Sequence, residues 1–333
     1  MRLQFDVVAA SKCPKKDVIE ALDIYCKTVD PGSMTDTNQI KYYIWNITPQ
    51  SKDERIMFFY LLYDINNSVI GFSEFAYLPE NHVLVIDYLC TKHRNHVLFY
   101  NFYHMAVQEI TDELKQKGLF IRYIVTELSL NQIDGVLSDP DSNYFRHLLS
   151  IEGFMLSKYP YYQPPLLRFD KVQEFSLAFK LLSVDNSELL SIDKRQYLSI
   201  VQELYISHYY AWYQNFPAGQ GIGEIIKQLP TRIEREIPES GECIPISLVQ
   251  CKLFEEGQCP RFSPENITLP RMRKNRRKSI ILIFFWIILA IATFVVCIIP
   301  ECSTIESIIC SFLSIIVGVV SIISFRKELF TAK

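Results

Sequence analysis

Residues 82–110, HVLVIDYLCTKHRNHVLFYNFYHMAVQEI, change character at their midpoint. His82–Cys90 joins a Val-Leu-Val-Ile run to Tyr88 and Leu89 around one acid, Asp87, the composition of a buried strand. Asn101–Ile110 instead sets Phe102, Ala106 and Ile110 four apart, the step of one helix face. Between them Thr91–His96 is short, polar and basic. A strand that passes through such a turn into a helix aims backbone N–H groups and the positive end of the helix dipole at one spot. That spot suits an anion, above all a phosphate.

Outward from this stretch, the residues predict an ordered set of elements. Lys15–Val29 reads as a helix stopped by Asp30-Pro31-Gly32, and Lys41–Ile47 as a short strand or turn. Arg55–Ile65 and Ser68–Leu78 read as antiparallel strands around an Asn66-Asn67 turn. Gly118 ends the central helix. Phe120–Leu130 is the next strand, Asn143–Gly153 a helix and Glu174–Val184 a late strand.

The central stretch with this element order resembles the acyl-CoA-binding centre of the GNAT N-acetyltransferases, over roughly residues 1–184. Glu152-Gly153-Phe154 stands where many members end their last helix, and Tyr161-Tyr162-Gln163-Pro164-Pro165 reads as a rigid loop beside the cleft or as a Pro-rich turn. The resemblance implies an α/β (α+β) fold: a mixed, mostly antiparallel central sheet flanked by helices. It implies acetyl-CoA or another acyl-CoA as cosubstrate, with pantetheine along Leu89 and Cys90 and pyrophosphate on Lys92, Arg94, Asn95, His96, Val97, Leu98 and Phe99. One departure stands out. The family's small turn positions, usually glycines, are Val97 and Phe99 here, and a Tyr common before the Gly-Phe turn is Leu149.

Acyl transfer to an amine needs a proton acceptor, an oxyanion donor and an acid for the departing thiolate. Asp87, alone in an apolar strand, is the first candidate base, with Glu74 and Glu127 on the flanking strands as others. Tyr161 or Tyr162 is the candidate acid. Each reads equally as a structural residue, a solvated carboxylate or a packed tyrosine. The six His have no metal-ligand spacing, and Cys243, Cys251 and Cys259 recur without the short pairs that zinc requires, so no metal is expected. Ala218–Gly223, AGQGIG, copies a phosphate signature but follows no strand, and reads as an interhelical loop.

Residues 185–270 read as a helical accessory extension and linker. They include an aromatic helix, Tyr197–Trp212, a helix at Glu224–Leu229, a Pro-rich broken stretch from Pro230, and a short strand at Ile244–Leu253. His208, Tyr209, Tyr210, Trp212 and Tyr213 read chiefly as core, with the lining of an acceptor pocket as the alternative. Nine of the 34 Lys/Arg and three of the 37 Asp/Glu lie beyond Pro270, so the first 270 residues carry 25 basic and 34 acidic side chains. An acidic balance argues against nonspecific nucleic-acid binding. With no secretory signal at MRLQFDVVAA, the nine cysteines read as reduced thiols.

Residues 271–333 are of another kind. Apolar spans over 279–299 and 303–325 are each long enough to cross a hydrocarbon core of about 30 Å, the second through its uncharged part, Ser307–Phe325. RMRKNRRK at 271–278 precedes the first and Arg326-Lys327 follows the second, which predicts a two-pass hairpin with both termini cytoplasmic. The bilayer is then a partner, as is an amine acceptor that the residues do not identify, and the hairpin offers a route to a homo-oligomer. The expectation is a membrane-anchored N-acyltransferase. The alternatives are an inactive GNAT-fold sensor or scaffold, and a membrane effector governed by the soluble part.

In intact cells, Cys302 should therefore react with an impermeant thiol reagent while Cys243, Cys251 and Cys259 stay unlabelled. Truncation at Pro270 should release a soluble protein. Labelling of the second group instead would invert the topology and put a cytosolic acyl-CoA pool out of reach.

Overall fold

A computed structural model describes residues 5–29, 33–46, 54–93, 95–129, 140–166, 172–182, 191–214, 220–238 and 241–249. The chain divides into two units, Met1–Pro270 and Arg271–Lys333, and every described residue belongs to the first. The apolar spans, with Arg94, Cys251, Cys259 and Cys302, lie outside the described residues. Among those described, no helix is long and apolar enough to cross a membrane.

The strands are β1 (Asp6–Ala9), β2 (Ile56–Tyr63), β3 (Val69–Leu78), β4 (Val83–Thr91), β5 (Tyr123–Ser129), β6 (Met155–Ser157), β7 (Tyr161–Gln163), β8 (Gln173–Leu181), β9 (Ser191–Asp193) and β10 (Cys243–Leu248). The helices are α1 (Lys15–Thr28), α2 (Thr37–Asn46), α3 (His96–Gln116), α4 (Pro140–Ile151), α5 (Lys194–Glu203), α6 (Ala211–Gln214) and α7 (Gln220–Glu236), with a π-helical turn, Leu204–Tyr210, joining α5 to α6. The sheet order is β1-β2-β3-β4-β5-β8-β6-β10-β9, with β7 also on β8. Every pairing is antiparallel except β4 with β5. This mixed, mostly antiparallel sheet flanked by helices is the architecture that the sequence predicts.

Each face of the sheet carries its own core. On one, Leu84 and Ile86 of β4 and Ile124 and Leu128 of β5 pack with Phe102, Ala106, Ile110 and Leu114 of α3. The four-residue spacing read from the sequence is thus the buried stripe, and Phe102, Ala106 and Ile110 are fully enclosed. On the other, Val83, Val85, Tyr123 and Val125 pack with Leu22 and Tyr25 of α1, Tyr43 of α2, Tyr197 and Val201 of α5 and Ile226 and Ile233 of α7.

Four local expectations change, the first being Tyr161–Gln163, read as a loop or turn, which is β7 and pairs with β8. The strand or turn read at Lys41–Ile47 belongs to α2, because Ile40, Tyr43 and Ile44 are buried at helical spacing and that packing outweighs the β propensity of the aromatic residues. Asp36 starts this helix, its Oδ1 accepting from Asn38 N at 2.6 Å. The helix read at Glu224–Leu229 runs from Gln220 to Glu236 straight through Pro230, a position that costs about 3 kcal/mol in a helix interior. Burial of Ile226, Leu229, Ile233 and Ile237 offsets that cost. Gly221 and Gly223, read as loop, lie in its first turns, and Gly223 leaves room for the Tyr210 ring, which an added Cβ would meet at 3.1 Å.

Two glycines act differently. Gly153 ends α4 at φ +70° with open space around it, and Phe154 N reaches back to Leu149 O at 2.9 Å, as the Gly-Phe turn predicts. At Gly71 an added Cβ would sit 2.9 Å from Cys90 O and 3.1 Å from the Phe102 ring, so its absence lets α3 seat on the sheet. Gly71→Ala should therefore cost about 1–3 kcal/mol through overpacking, and Gly153→Ala only about 1 kcal/mol of backbone strain. Thermal unfolding followed by near-ultraviolet circular dichroism checks the ranking. A Gly71→Ala protein as stable as wild type would contradict the seating of α3.

Candidate functional site

The site begins with a bulge. Glu74 of β3 stands opposite Tyr88 and Phe75 opposite Ile86, which leaves Asp87 without a partner across the pair. An extra residue breaks the alternation of faces. Tyr88 therefore turns toward the α1 side, edge-on to Tyr25 at a centroid distance of 4.8 Å, and Asp87 reaches the π-helical turn on that same side. The parallel ladder between β4 and β5 covers only Val83–Val85 against Tyr123–Val125, although both strands continue. Where it stops, the Thr126 hydroxyl donates to Ile86 O at 3.0 Å, so a side chain replaces the missing ladder bond. The opening between the strands starts at Asp87.

Glu74, Asp87 and Glu127 all lie on the face covered by α1, α2 and α5–α7. Asp87 Oδ1 is 2.9 Å from His208 Nε2. Arg55 closes the other side of the imidazole: Nη1 donates to His208 O at 2.6 Å and lies 3.5 Å from Nδ1, while Nη2 donates to the Tyr43 hydroxyl at 3.0 Å. Its guanidinium sits 5.1 Å from the Tyr43 ring and 5.5 Å from that of Trp212, two rings stacked at 4.1 Å. Glu127 accepts from the Tyr209 hydroxyl at 2.7 Å and from Gln163 Nε2 at 2.8 Å.

Burial sets the protonation of this group. Enclosure, and then the neighbouring Asp87 charge, push Glu74 well above the usual carboxylate range against the pull of Arg55. Burial pushes Glu127 up to about 7, although hydrogen bonds from Tyr209 and Gln163 oppose the rise. Burial, with the Glu127 charge next, raises the phenols of Tyr161 and Tyr209. Glu127 keeps partial exposure, and Oε2 of Glu74 and Oδ2 of Asp87 are buried with no hydrogen-bond partner among the described residues.

Of the sequence candidates, Glu74, Asp87, Glu127 and Tyr161 come together here. Tyr162 does not join them: its hydroxyl donates to Glu236 at 2.7 Å, with Arg232 packed 3.6 Å over its ring. At the basic turn, Asn95 caps α3, its side chain accepting from Leu98 N at 3.1 Å and its carbonyl from Phe99 N at 3.0 Å. Cys90, Leu98 and Phe99 point into the core, so Phe99 does not obstruct the turn, and Leu89 is partly buried. His96 stacks on Tyr144 at 4.2 Å, Val97 is partly exposed and Lys92 is exposed. A phosphate placed here meets the start of α3, where Asn95 already takes the N–H groups of Leu98 and Phe99, and the exposed Lys92. The residues thus fit such a group in part.

The sequence reading missed Arg55, His208, Tyr209 and Gln163 as partners of the acids. His208 and Tyr209 stood in an aromatic helix read chiefly as core, and the π-helical turn is what sends both to the sheet.

No protein-family model matches the chain, and no curated protein matches it. Solved structures do resemble it. One described as a GNAT-family acetyltransferase from Bacteroides thetaiotaomicron is 15% identical, with a TM-score of 0.39 over 62% of this chain and 98% of that one. An acetyltransferase from Salmonella typhimurium that modifies the N-terminal serine of a ribosomal protein is 14% identical, with a TM-score of 0.36 over 54% and 96%. Spermidine N-acetyltransferase from Vibrio cholerae, solved with CoA and spermine, is 11% identical, with a TM-score of 0.35 over 54% and 96%.

The raised Glu127 value makes a prediction of definite sign. Glu127 binds its proton more tightly folded than unfolded. Its contribution to stability is therefore complete below the ordinary value of 4.5 and is lost as pH rises through about 7. Glu127→Gln removes that dependence. Denaturation of both proteins from about pH 4 to pH 8 should show the Gln variant gaining on wild type by on the order of 2 kcal/mol. A constant difference would mean that Glu127 is not raised.

Proposed function

We propose that this chain is a membrane-anchored N-acyltransferase that moves an acyl group, most simply acetyl, from acyl-CoA to a primary amine. The observation that carries the reading is the opening of β4 from β5 at the Asp87 bulge, with Glu127 raised to about 7 on the opposite strand. The acyl thioester supplies the electrophilic carbonyl carbon and a leaving thiolate. Glu127 takes the proton from the attacking amine, and its value near 7 matches that task at neutral pH. Asp87, held by His208 beside the opening, adds negative charge that favours the amine as its ammonium form. The proton that Glu127 takes from the ammonium is later released to solvent. The neutral amine then attacks, the new C–N bond replaces the C–S bond, and the second proton shed by nitrogen ends on the thiolate, giving an amide and a free thiol. Tyr161 lies beside Glu127 but is fully enclosed, which makes it a poor acid for the thiolate. The CoA phosphates would rest on Lys92, Arg94 and the start of α3. The hairpin at residues 271–333 would hold this chemistry at the cytoplasmic face of a membrane.

A second reading has one observation in its favour. Asn95 caps the N–H groups that a glycine-rich turn would offer to phosphate, as suits a fold that has given up transfer and serves as a sensor or scaffold.

Calorimetry on the detergent-solubilised full chain separates the readings. Acetyl-CoA should bind, and Lys92→Ala should weaken binding by about tenfold. Glu127→Gln should leave that affinity unchanged and reduce transfer to primary amines by about 10²–10⁴-fold. Binding without transfer across a broad amine panel would favour the sensor, and no binding of any acyl-CoA would defeat the cofactor site and the enzyme reading and leave only a scaffold.

A further inference from the structure

Arg55 immediately precedes β2 and belongs to no catalytic motif, yet it is the best-anchored cation of this face. Its guanidinium is fixed on three sides, by the Tyr43 hydroxyl, by the stacked rings of Tyr43 and Trp212, and by the His208 carbonyl. The Tyr43 hydroxyl in turn donates to Ala211 O and Trp212 O at 3.2 Å, and Trp212 Nε1 donates to Gln39 Oε1 at 3.0 Å, so α2 and α6 hold the assembly from both ends. The same Nη1 that donates to the His208 carbonyl also lies 3.5 Å from His208 Nδ1.

A guanidinium only donates hydrogen bonds. Nδ1 must therefore be the bare, accepting nitrogen of the imidazole, and the ring proton must lie on Nε2, facing Asp87 Oδ1 at 2.9 Å. Protonating Nδ1 would set an N–H against the Arg55 N–H groups and a second positive charge beside the first. We propose that Arg55 is a positioning residue. It fixes His208 as the neutral Nε2–H tautomer, so that Asp87 always meets a donor on Oδ1 and presents Oδ2 in one orientation.

The charged and titratable groups facing the imidazole are Asp87 from β4, Glu74 from β3, Arg55 ahead of β2, Tyr43 from α2 and Tyr209 beside it, with Glu127 one hydrogen bond further on. Arg55 and Asp87 are the two that reach the ring nitrogens, from opposite sides, so they are the opposing charges that decide the ring's state. Without the cation, Asp87 would draw a proton onto His208 and form an ion pair with it. Its charge would then be spent on the histidine and not on an incoming ammonium. The use of this arrangement rests on the amine-transfer reading, but the tautomer does not.

The test is the two-bond ¹H–¹⁵N spectrum of the full chain in detergent, labelled at its histidine nitrogens, with no substrate added. His208 is assigned by the signal lost in His208→Gln. At pH 6 the wild type should show one pyridine-type and one pyrrole-type nitrogen for His208. Arg55→Met should convert both to the imidazolium pattern, while Arg55→Lys, which keeps a cation, should preserve the neutral pattern. An imidazolium His208 in wild type overturns the proposal even where Arg55→Met fails to fold, and so does an unchanged spectrum in a folded Arg55→Met protein. A chain that transfers nothing yet shows the neutral tautomer would sink the enzyme reading and leave this one standing.

Discussion

The bulge at Asp87 is the constraint on which the rest of the site depends. A central strand this apolar would normally pair along its whole length on both sides, and any carboxylate within it would be a burden. Inserting one residue opposite the Glu74–Phe75 step brings Asp87 and Tyr88 to one side of the sheet, and the ladder to β5 stops just before it. The carbonyl freed at Ile86 takes a hydroxyl from Thr126, so opening the sheet leaves no broken backbone hydrogen bond there. The opening is thus supported at its apex by a side chain that the next strand supplies.

Placing carboxylates at that apex creates a second demand, because buried charge without partners costs several kcal/mol. The partners come from a distant part of the chain. In an unbroken α-helix the consecutive residues His208 and Tyr209 would diverge by about 100°. The π-helical turn alters that phase, and each side chain reaches a different strand, His208 to Asp87 on β4 and Tyr209 to Glu127 on β5. A turn of this kind is poorer in hydrogen-bond geometry and tends to occur where function requires it. The same region is tied in elsewhere: Glu203 receives the backbone N–H groups of Glu80 and Asn81 at 2.8 and 3.0 Å, and β10 pairs with β6. The described part of residues 185–270 therefore completes the carboxylate site and extends the sheet.

These relations explain what the sequence made legible. Runs such as Ile56–Tyr63 and the Phe102-Ala106-Ile110 stripe announce their structure because one periodicity dominates, and Gly153-Phe154 does so because a helix end needs a left-handed residue. Asp87, Glu74 and Glu127 stood out as acids inside apolar strands, and strand alternation is enough to suspect a shared face. The bulge was not legible, since an extra residue in a continuous apolar run leaves no mark in composition. Arg55 looked like an ordinary strand-leading charge, and His208 like one more member of an aromatic helix. Their roles arise from contacts across more than 100 residues, which no local pattern encodes. Pro230 misled in the opposite way, as a strong local breaker overruled by the burial of one helix face.

The distribution of charge along β4 gives the arrangement its direction. At one end Arg55 lies over His208, and negative charge gathers at Asp87 and, above about pH 7, at Glu127. Five residues on, at about 3.3 Å per residue, Lys92 begins the basic turn roughly 16 Å away. That exceeds the screening length of about 8 Å at physiological salt, so the two ends do not neutralise each other and each keeps its own preference. One strand can then receive an anionic phosphate at its carboxyl end and a cationic amine at its bulge. In the proposed reaction the amine must lose its positive charge before it can attack. A site built only of strong acids would hold the ammonium too well. Glu127 is set apart from Asp87 for this reason: burial lifts it to about 7, where it accepts the proton that Asp87, committed to His208, is positioned to attract but not to remove.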